Sequence, residues 1–436
     1  MTRFDVLVVG GGPAGLAAAV KLAKQDLSVL LVEQRSTLGG AIHRARHDGA
    51  PGAAPMVRRH RRNWSRLVAA LGTHAAKISM LTETVFAGID GDGQCLLDVR
   101  TERRVRIVRP NAIILAVGAT EEVLPRPGWE LPGVVTAGGV QVQIKETGIP
   151  PAGRVVIAGT GPLPIALASQ LAALGNPPVA LIERANLGRT AITSPLAALK
   201  LLTRPHLLAE GAGYLCGLVR HKVPHLYGYT VTQIVRSVDG GMRVMAIRND
   251  GASIDLEADL VVLHDGLKPN DRMLPHGSLH GIRIERAGDC REILGADAAI
   301  ADGRLAAHRI AAELGGKAPQ TGEPGWRRRA RAFQLSLARL YHAGSPEITA
   351  ETLICRCEGI TRARLTADGS MTSARELRLL SRVGMGLCQG RFCVRAASRV
   401  AAEEGCGFYP EEIEGASPRW PIRPVSVQAL TSVDEL

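Results

Sequence analysis

Aromatic side chains are scarce in this 436-residue chain: tryptophan, tyrosine and phenylalanine together make up 3% of it. Proteins that grip nucleic acid interleave basic residues with aromatic stacking platforms, and no such interleaving is present. The formal net charge of +12 therefore does not point to a nucleic-acid partner. No run of 18 or more apolar residues occurs, which excludes an ordinary membrane-spanning helix. Arg3 followed by the apolar stretch from Val6 to Val20 imitates an export signal, but Gly10, Gly12 and Gly15 interrupt it at a spacing with its own meaning. Without an export signal, the eight cysteines read as metal or redox chemistry rather than a disulfide framework, and a cytoplasmic location is expected.

What is present is small and apolar. Apolar residues reach 46%, enough for sizeable cores, and the length suggests about three domains. The 49 glycines suit α/β nucleotide-binding folds, whose tight turns need them. The densest basic run, Arg58-Arg59-His60-Arg61-Arg62, reads as a solvated helix face or a patch for an acidic partner or anionic ligand.

The pattern 4–9 strand, 10–15 turn, 14–25 helix, 28–33 strand is one βαβ unit. It recurs at 154–183, with a strand at 154–158, a Gly-rich turn, a helix to Leu174 and a strand at 179–183. Apolar strands at 112–117 and 258–263 belong to the two sheets. A linker rich in Pro, Gly and Arg at 315–330 leads to a helix near 328–342 and a Cys-bearing module at about 352–406. The Pro-rich tail 417–436 reads as irregular. The predicted domains are a dinucleotide-binding unit from 1–150 and 255–316, a second such unit at 151–254, a linker at 317–350, the Cys module at 351–408 and a tail at 409–436.

Gly10-Gly-Gly12-Pro13-Ala14-Gly15 follows a strand and opens a helix. Gly10 permits the tight turn, Gly12 lets backbone approach a pyrophosphate, and Gly15 lets helix pack on strand. The phosphates then face the helix N-terminus, where unpaired N–H groups favour anions. Glu33 ends the next strand, 18 residues beyond Gly15, placed to accept hydrogen bonds from an adenosine ribose. The second unit carries Gly159-Thr-Gly161-Pro-Leu-Pro164, with Pro in place of the third glycine, and Glu183 at the ribose position beside Arg184. A competent NAD(P) site, another adenine nucleotide held without hydride transfer, and an empty relic all stay open.

Cys355-Arg-Cys357 and Cys388-Gln-Gly-Arg-Phe-Cys393 are separated by thirty residues. Two close thiolate pairs suit a [2Fe-2S] cluster or zinc. The glycines of Gly384-Met-Gly-Leu-Cys388-Gln-Gly390 free backbone N–H groups to hydrogen-bond the sulfurs and tune a potential. Cys95, Cys216, Cys290 and Cys406 have no partner at metal spacing and read as core or incidental thiols, with Cys290 set apart by its neighbour Asp289. His43, His47, His60 and His74 read as solvated or core histidines, and no catalytic constellation is evident.

The Gly39-Gly40 pair, the strand-to-turn segment Ile113–Ala119 and Ala287-Gly288-Asp289 resemble the two-dinucleotide-binding, disulfide-reductase-like flavoproteins. That resemblance implies FAD, contacted by Gly10, Gly12, Pro13, Ala14, Gly15, Glu33, Gln34, Gly40, Ala41, Val85, Ala116, Gly118 and the ribityl-binding Asp289. It also implies an α/β fold of two Rossmann-like domains, to which the Cys module is expected to add a small helical [2Fe-2S] domain. No redox Cys pair follows Gly40-Ala-Ile-His-Arg, so disulfide reduction is not expected. The stretch from Asn270 to Gly288 is short, so the strands before the Gly-Asp motif are expected to be trimmed.

The Cys spacing resembles the bacterioferritin-associated ferredoxin-like [2Fe-2S] domain, with Cys-x4-Cys where Cys-x2-Cys is usual. Together with the Gly10–Gly15 turn, Pro127-Gly-Trp-Glu-Leu-Pro-Gly-Val-Val-Thr-Ala-Gly-Gly139, Gly161-Pro-Leu, the Gly384–Cys393 motif and Pro421-Ile-Arg-Pro-Val425, the chain over residues 3–427 resembles the FAD/[2Fe-2S] α-type subunits of heteromeric dehydrogenases. Those act on amino acids, opines or secondary amines such as proline, D-hydroxyproline, octopine, nopaline or glycine.

The partner implied by the resemblance is an amino-acid-oxidase-like, FAD-containing catalytic subunit. Room for a small third subunit, and a quinone or cytochrome for the final acceptor, are implied with it. The resemblance also implies that Cys355, Cys357, Cys388 and Cys393 hold the cluster, and it leaves open peripheral membrane association through the partners. Two other readings stand beside it. One is a self-contained NAD(P)H-dependent FAD/iron–sulfur reductase using Gly159, Gly161 and Glu183. The other is a non-enzymatic scaffold with zinc and a structural nucleotide.

Overall fold

The computed structural model describes residues 4–46, 57–317, 322–367, 373–406, 412 and 421–436. The chain opens with β1 (Val6–Val9), α1 (Pro13–Ala23) and β2 (Val29–Val32), the two strands parallel with Val6 opposite Val29. Every residue of both strands is buried, as expected for strands covered on both faces. α2 (Arg58–Thr73) and β3 (Ile78–Leu81) follow. An antiparallel meander of β4 (Thr84–Ile89), β5 (Cys95–Val99) and β6 (Arg104–Val108) leads to β7 (Ala112–Leu115), which returns beside β1.

The chain then leaves this unit through β8 (Ala119–Glu122). The second unit comprises β9 (Val134–Thr136), α3 (Ala137–Thr147), β10 (Val155–Gly159), α4 (Pro162–Ala173) and β11 (Ala180–Glu183). It continues with α5 (Leu187–Thr193), α6 (Pro195–Leu201), α7 (Pro205–Arg220) and β12 (His225–Tyr227). A second meander, β13 (Tyr229–Arg236), β14 (Met242–Arg248) and β15 (Ser253–Ala258), precedes β16 (Leu260–His264). The parallel sheet of this unit runs β12-β11-β10-β16-β9.

The second unit is therefore larger than 151–254. β9 and β16 lie outside those bounds, yet both hydrogen-bond into its sheet, with Val261 opposite Val134. Strand pairing between segments far apart in the chain, rather than local composition, sets this boundary.

β17 (Gly266–Pro269) pairs antiparallel with β8, so outgoing and returning chain form one two-stranded connection between the units. β18 (Gly277–Leu279) and β19 (Ile282–Arg286) then complete the first sheet, ordered β18-β19-β7-β1-β2-β3. The strands before the Gly-Asp motif are short but not lost: β19 pairs with β7 along four residues. α8 (Ala296–Leu314) lies against α1.

Residues 317–350, assigned to a linker, contain the helix expected near 328–342 as α9 (Gly325–Leu340), whose Ala330, Phe333 and Leu340 are buried. The Cys module follows with its own core: β20 (Leu353–Cys355), β21 (Ile360–Thr361), α10 (Arg362–Leu365), α11 (Ala374–Ser381) and α12 (Val394–Glu403). The described end of the tail is not irregular. α13 (Val427–Leu430) seats Ala429 in a small core, and β22 (Val433–Glu435) joins β6 in parallel.

Glycine makes the α1–α8 contact possible. A Cβ on Gly303 of α8 would lie 2.0 Å from the carbonyl oxygen of Ala14. Replacing Gly303 with Ala is expected to destabilise the protein by about 1–3 kcal/mol through overpacking. Replacing Gly72, whose Cβ would meet open space, is expected to leave stability unchanged or raise it by up to about 1 kcal/mol. Urea midpoints of the two variants check both.

Candidate functional site: two nucleotide cradles and a cysteine loop

The first cradle is built by close backbone approach. Gly10 has φ +107°, and a Cβ there would lie 2.5 Å from the Ala116 oxygen at the end of β7. A Cβ on Gly15 would lie 1.8 Å from the Gly10 oxygen, so both positions exclude any side chain. Pro13 occupies the first turn of α1, Gly12 is its N-cap without a side-chain cap, and no acidic residue stands in that turn. Ala14 is buried against α8, below the helix start.

Opposite lies Gly40, φ +62°, whose Cβ would come within 3.1 Å of Gly12 Cα. The gap between Gly12 and Gly40 exists because neither carries a side chain. A cleft with uncapped helix N–H groups on one wall fits an anionic pyrophosphate.

Glu33 ends β2, buried, and its Oε2 accepts from Gly11 N at 2.7 Å while Oε1 accepts from Arg35 N at 2.9 Å. A carboxylate has about four acceptor sites, so capacity is left for ribose hydroxyls. Gln34 is exposed beside it. Thr84 N donates to the Glu33 carbonyl at 2.9 Å, which sets buried Val85 next to the acid. The Ala41 carbonyl accepts from Lys145 Nζ at 2.8 Å. Gly118, φ +71°, turns the chain after β7.

Asp289 does not cap α8, whose N-cap is Gly295. Its Oδ1 accepts from Leu294 N and Gly295 N, closing the turn before that helix. Burial pushes its carboxyl upward.

The second cradle repeats the device with a slip of one residue. A Cβ on Gly159 would lie 1.9 Å from the His264 oxygen. Glu183, fully buried, accepts from Gly161 N at 3.2 Å and from Ala185 N at 3.0 Å. In the first cradle the acid takes the residue before the N-cap. Here it takes the N-cap itself, Gly161, at φ +101°. Burial pushes Glu183 up to about 7, against the backbone hydrogen bonds it accepts. Thr160 Oγ1 donates to the Tyr341 carbonyl at 3.0 Å, so the end of α9 is fixed against this turn.

Between the cradles lies a cavity of about 1260 Å³, lined among others by Asp289, Gly295, Lys145, His264, Gly161 and Tyr341. Burial and neighbouring Arg44 lower Lys145 to about 8. His264 Nδ1 lies 2.8 Å from Glu121 Oε1, and Gly138 N donates to Glu121 Oε2 at 2.7 Å. Burial opposes ionisation of Glu121, but its bonds to His264, Thr136 and Gly138 win, and its carboxyl is lowered.

Next to it, fully buried Asp265 pairs with Arg126 and, at 3.2 Å, with Arg184, and accepts from Leu124 N at 2.7 Å. Burial raises Asp265, yet the two guanidiniums outweigh it and the carboxyl is lowered. No motif in the sequence had pointed to these groups. One signal was present: His264-Asp265 directly follow the apolar strand Val261–Leu263, where α/β folds place functional groups.

Of the basic run, Arg58, Arg61 and Arg62 are exposed, but Arg59 and His60 turn inward to Glu210, at 3.0 and 3.5 Å. His43 is buried, stacked on Trp64 with ring centroids 5.2 Å apart, and burial lowers it to about 4. His47 lies outside the described residues. Cys95 and Cys290 are buried thiols, both pushed up to about 12 by burial.

The four clustered cysteines come together in a row. Cys355 contacts Cys393, Cys393 contacts Cys388, and Cys388 contacts Cys357. Cys355 and Cys393 are buried, Cys388 is partly covered and Cys357 is exposed, so the row runs from core to surface. Backbone N–H groups of Gly384, Glu358 and Cys357 point at the Cys355 sulfur, and those of Phe392 and Gly390 at Cys388. With the Cys393 thiol donating to both neighbours, Cys355 is lowered to about 6 and Cys388 to about 4, while Cys393 is raised. Among the described residues, no three His, Cys, Asp or Glu side chains are arranged to hold a single metal ion.

The module is pinned to the rest of the protein. Trp129 Nε1 donates to the Leu353 carbonyl at 2.8 Å, Arg272 Nε donates to Gln389 O at 2.9 Å, and Arg395 pairs with Glu122 at 3.1 Å.

A flavoprotein-type pair of Rossmann-like units, with no helix among the described residues long and apolar enough to cross a membrane, is the class these features define. Residues 4–289 match the model of the pyridine nucleotide-disulphide oxidoreductase family, and the chain belongs to that family. It is an oxidoreductase of a flavin-dependent, FAD-binding kind.

The chain is 30% identical to hydrogen cyanide synthase subunit HcnB of Pseudomonas aeruginosa, over 98% of each chain. It is also 30% identical to the opine oxidase A-subunit of Agrobacterium tumefaciens, covering 98% of this chain and 91% of that one. The solved L-proline dehydrogenase from P. horikoshii shares the fold, with a TM-score of 0.62 at 19% identity over 98% of this chain and 79% of that one.

A raised acid destabilises the fold as it ionises. Glu183 binds its proton more tightly when folded, so its contribution is complete below about pH 4.5 and is lost as pH rises through about 7. The stability difference between wild type and Glu183→Gln is therefore expected to shift by about 3 kcal/mol in favour of the variant between pH 4.5 and pH 8. Urea unfolding of both proteins across that range checks it.

Proposed function

We propose that the chain is the FAD- and [2Fe-2S]-carrying electron-transfer subunit of a heteromeric dehydrogenase acting on an amino acid, opine or secondary amine. Its partner on this reading is an amino-acid-oxidase-like flavoprotein, and a quinone or cytochrome accepts the electrons. The observation that carries the reading is the row of four sulfurs, drawn from segments thirty residues apart and supplied with backbone N–H donors.

Two pairs in a row suit a binuclear centre with one pair on each iron, whereas a structural zinc ion needs its donors around a single point. FAD would supply two-electron chemistry and the cluster single-electron steps, which is the combination an electron-splitting subunit requires. The Gly12–Gly40 cleft and Glu33 are the residues that would hold FAD; Cys355, Cys357, Cys388 and Cys393 would hold the cluster. Relatives of this length that are named as subunits of hydrogen cyanide synthase and opine oxidase support a hetero-oligomer.

A self-contained NAD(P)H reductase is disfavoured by the second cradle, where the N-cap amide of Gly161 is already bound by Glu183. Anaerobically purified protein is expected to show a flavin absorption spectrum and, after dithionite, a [2Fe-2S] electron-spin signal. Cys393→Ser is expected to remove that signal and keep the flavin. NADH is expected to leave the flavin oxidised. Rapid bleaching by NADH, or zinc in place of iron, would overturn the proposal.

A further inference from the structure

One wall of the Gly12–Gly40 cleft has no regular structure to hold it. Among the described residues, no helix or strand lies between β2 and α2. Gly39 and Gly40 both take positive φ, +115° and +62°. Around Gly40 the backbone ties are Gly39 N to the Gly11 carbonyl at 2.9 Å and His43 N to the Gly39 carbonyl at 3.1 Å. No backbone N–H among the described residues reaches the carbonyls of Gly40, Ala41 or Ile42.

Side chains hold those three carbonyls instead. Arg44 Nε donates to the Gly40 carbonyl at 3.2 Å. Lys145 Nζ donates to the Ala41 carbonyl at 2.8 Å and to the Ile42 carbonyl at 3.4 Å. Arg44 is fixed in turn by Glu146, whose Oε1 lies 2.7 Å from Nη1. The same oxygen lies 3.5 Å from Arg35, whose backbone N–H donates to Glu33. An exposed ion pair would add little. Here the Arg44 and Glu146 side chains are only 10% and 15% exposed, so water screens the pair weakly.

Lys145 and Glu146 come from the other unit. They stand at the end of α3, whose Ala137, Val140 and Ile144 are buried in the core of the second unit. Ile144 is fully buried, so the two polar residues after it project from a fixed backbone. In a trans peptide the N–H points opposite to the carbonyl. Pinning the Gly40 and Ala41 carbonyls to the cations therefore turns the N–H groups of Ala41 and Ile42 away from them. Neither N–H has a partner among the described residues. Successive unpaired N–H groups in a turn are donors that a phosphate accepts.

We infer that Lys145 and Glu146 are positioning residues for the first cleft, by which the second unit holds the Gly40–Ile42 wall where it meets the FAD pyrophosphate. This rests on the reading that the Gly12–Gly40 cleft holds FAD. The grip on the cofactor is then shared between units: α1 forms one side, and α3 sets the other through the loop. Coupling of this kind is reciprocal, so FAD in the cleft also steadies α3.

The test is calorimetric titration of FAD into the flavin-depleted full chain. Lys145→Met, which nearly keeps the side-chain length and removes the donor, is expected to weaken FAD binding by about tenfold or more. Glu146→Gln, which leaves Arg44 without its charged partner, is expected to weaken it by about threefold or more. Lys145→Arg keeps donors at the same place and is expected to stay within about threefold of wild type. In hydrogen exchange, FAD is expected to slow the amides of residues 137–147 as well as those of 39–44 in the wild type, and to leave 137–147 unchanged in Lys145→Met.

Wild-type affinity in both Lys145→Met and Glu146→Gln would overturn the proposal. So would an Arg variant as weak as the Met variant, or exchange at 137–147 that FAD does not alter in the wild type. Gly12→Val, which fills the gap before Gly40, separates the reading beneath: wild-type FAD affinity in that variant would show that the cofactor lies elsewhere.

Discussion

The arrangement of the flavoprotein half depends on how close α1 comes to its surroundings. Its first turn touches the Gly10 carbonyl on one side and α8 on the other, at separations that leave no room for a methyl group at Gly15 or Gly303. Gly288, at φ +67°, meets the Ala14 side chain in the same way. Three backbones thus converge on one helical turn. That convergence aims the uncapped N–H groups of α1 into the gap before Gly40, and it brings the Gly288-Asp289 turn to the same edge. A helix displaced outward by one side chain would still be a helix, but its positive end would no longer point into the cleft.

The second unit shows how little is needed to alter such a site. Its strands, turn and terminal acid follow the same order, and Glu183 makes the same two kinds of backbone hydrogen bond as Glu33. Yet the carboxylate has moved one residue along the loop onto the helix N-cap, and α9 is tied to the turn through Thr160. The amide group that would meet an incoming phosphate is committed to the protein's own carboxylate. Architecture is retained while the donor set has changed.

The parts legible in the sequence are those whose physics is local. The Gly10–Gly15 turn, Glu33 at the end of β2 and the paired cysteines are each recognisable from short stretches of chain. What the sequence hid depends on distant register. β9 and β16 join a sheet whose other strands lie between them, and β22 pairs with β6 from the far end of the chain, so the tail read as irregular. Arg126, Asp265 and Arg184 look like surface charges in the sequence. Only the pairing of β8 with β17 turns them inward, into a buried ionic cluster at the connection between the units. The helix within the segment assigned to a linker was legible, but its fastening was not, because Arg327 and Arg331 both converge on a single acid, Glu292, 35 and 39 residues back in the chain.

That helix has a mechanical meaning. α9 is moored near its start by Arg327 and Arg331 to Glu292, which lies just past Asp289. Its end is held by Thr160 and by Thr190, which donates to the Leu340 carbonyl at 2.8 Å. The polypeptide leading into the cysteine module is therefore a strut fastened at both ends, not a tether. The spacing of the cysteine module from the first nucleotide cleft is thus set when the chain folds.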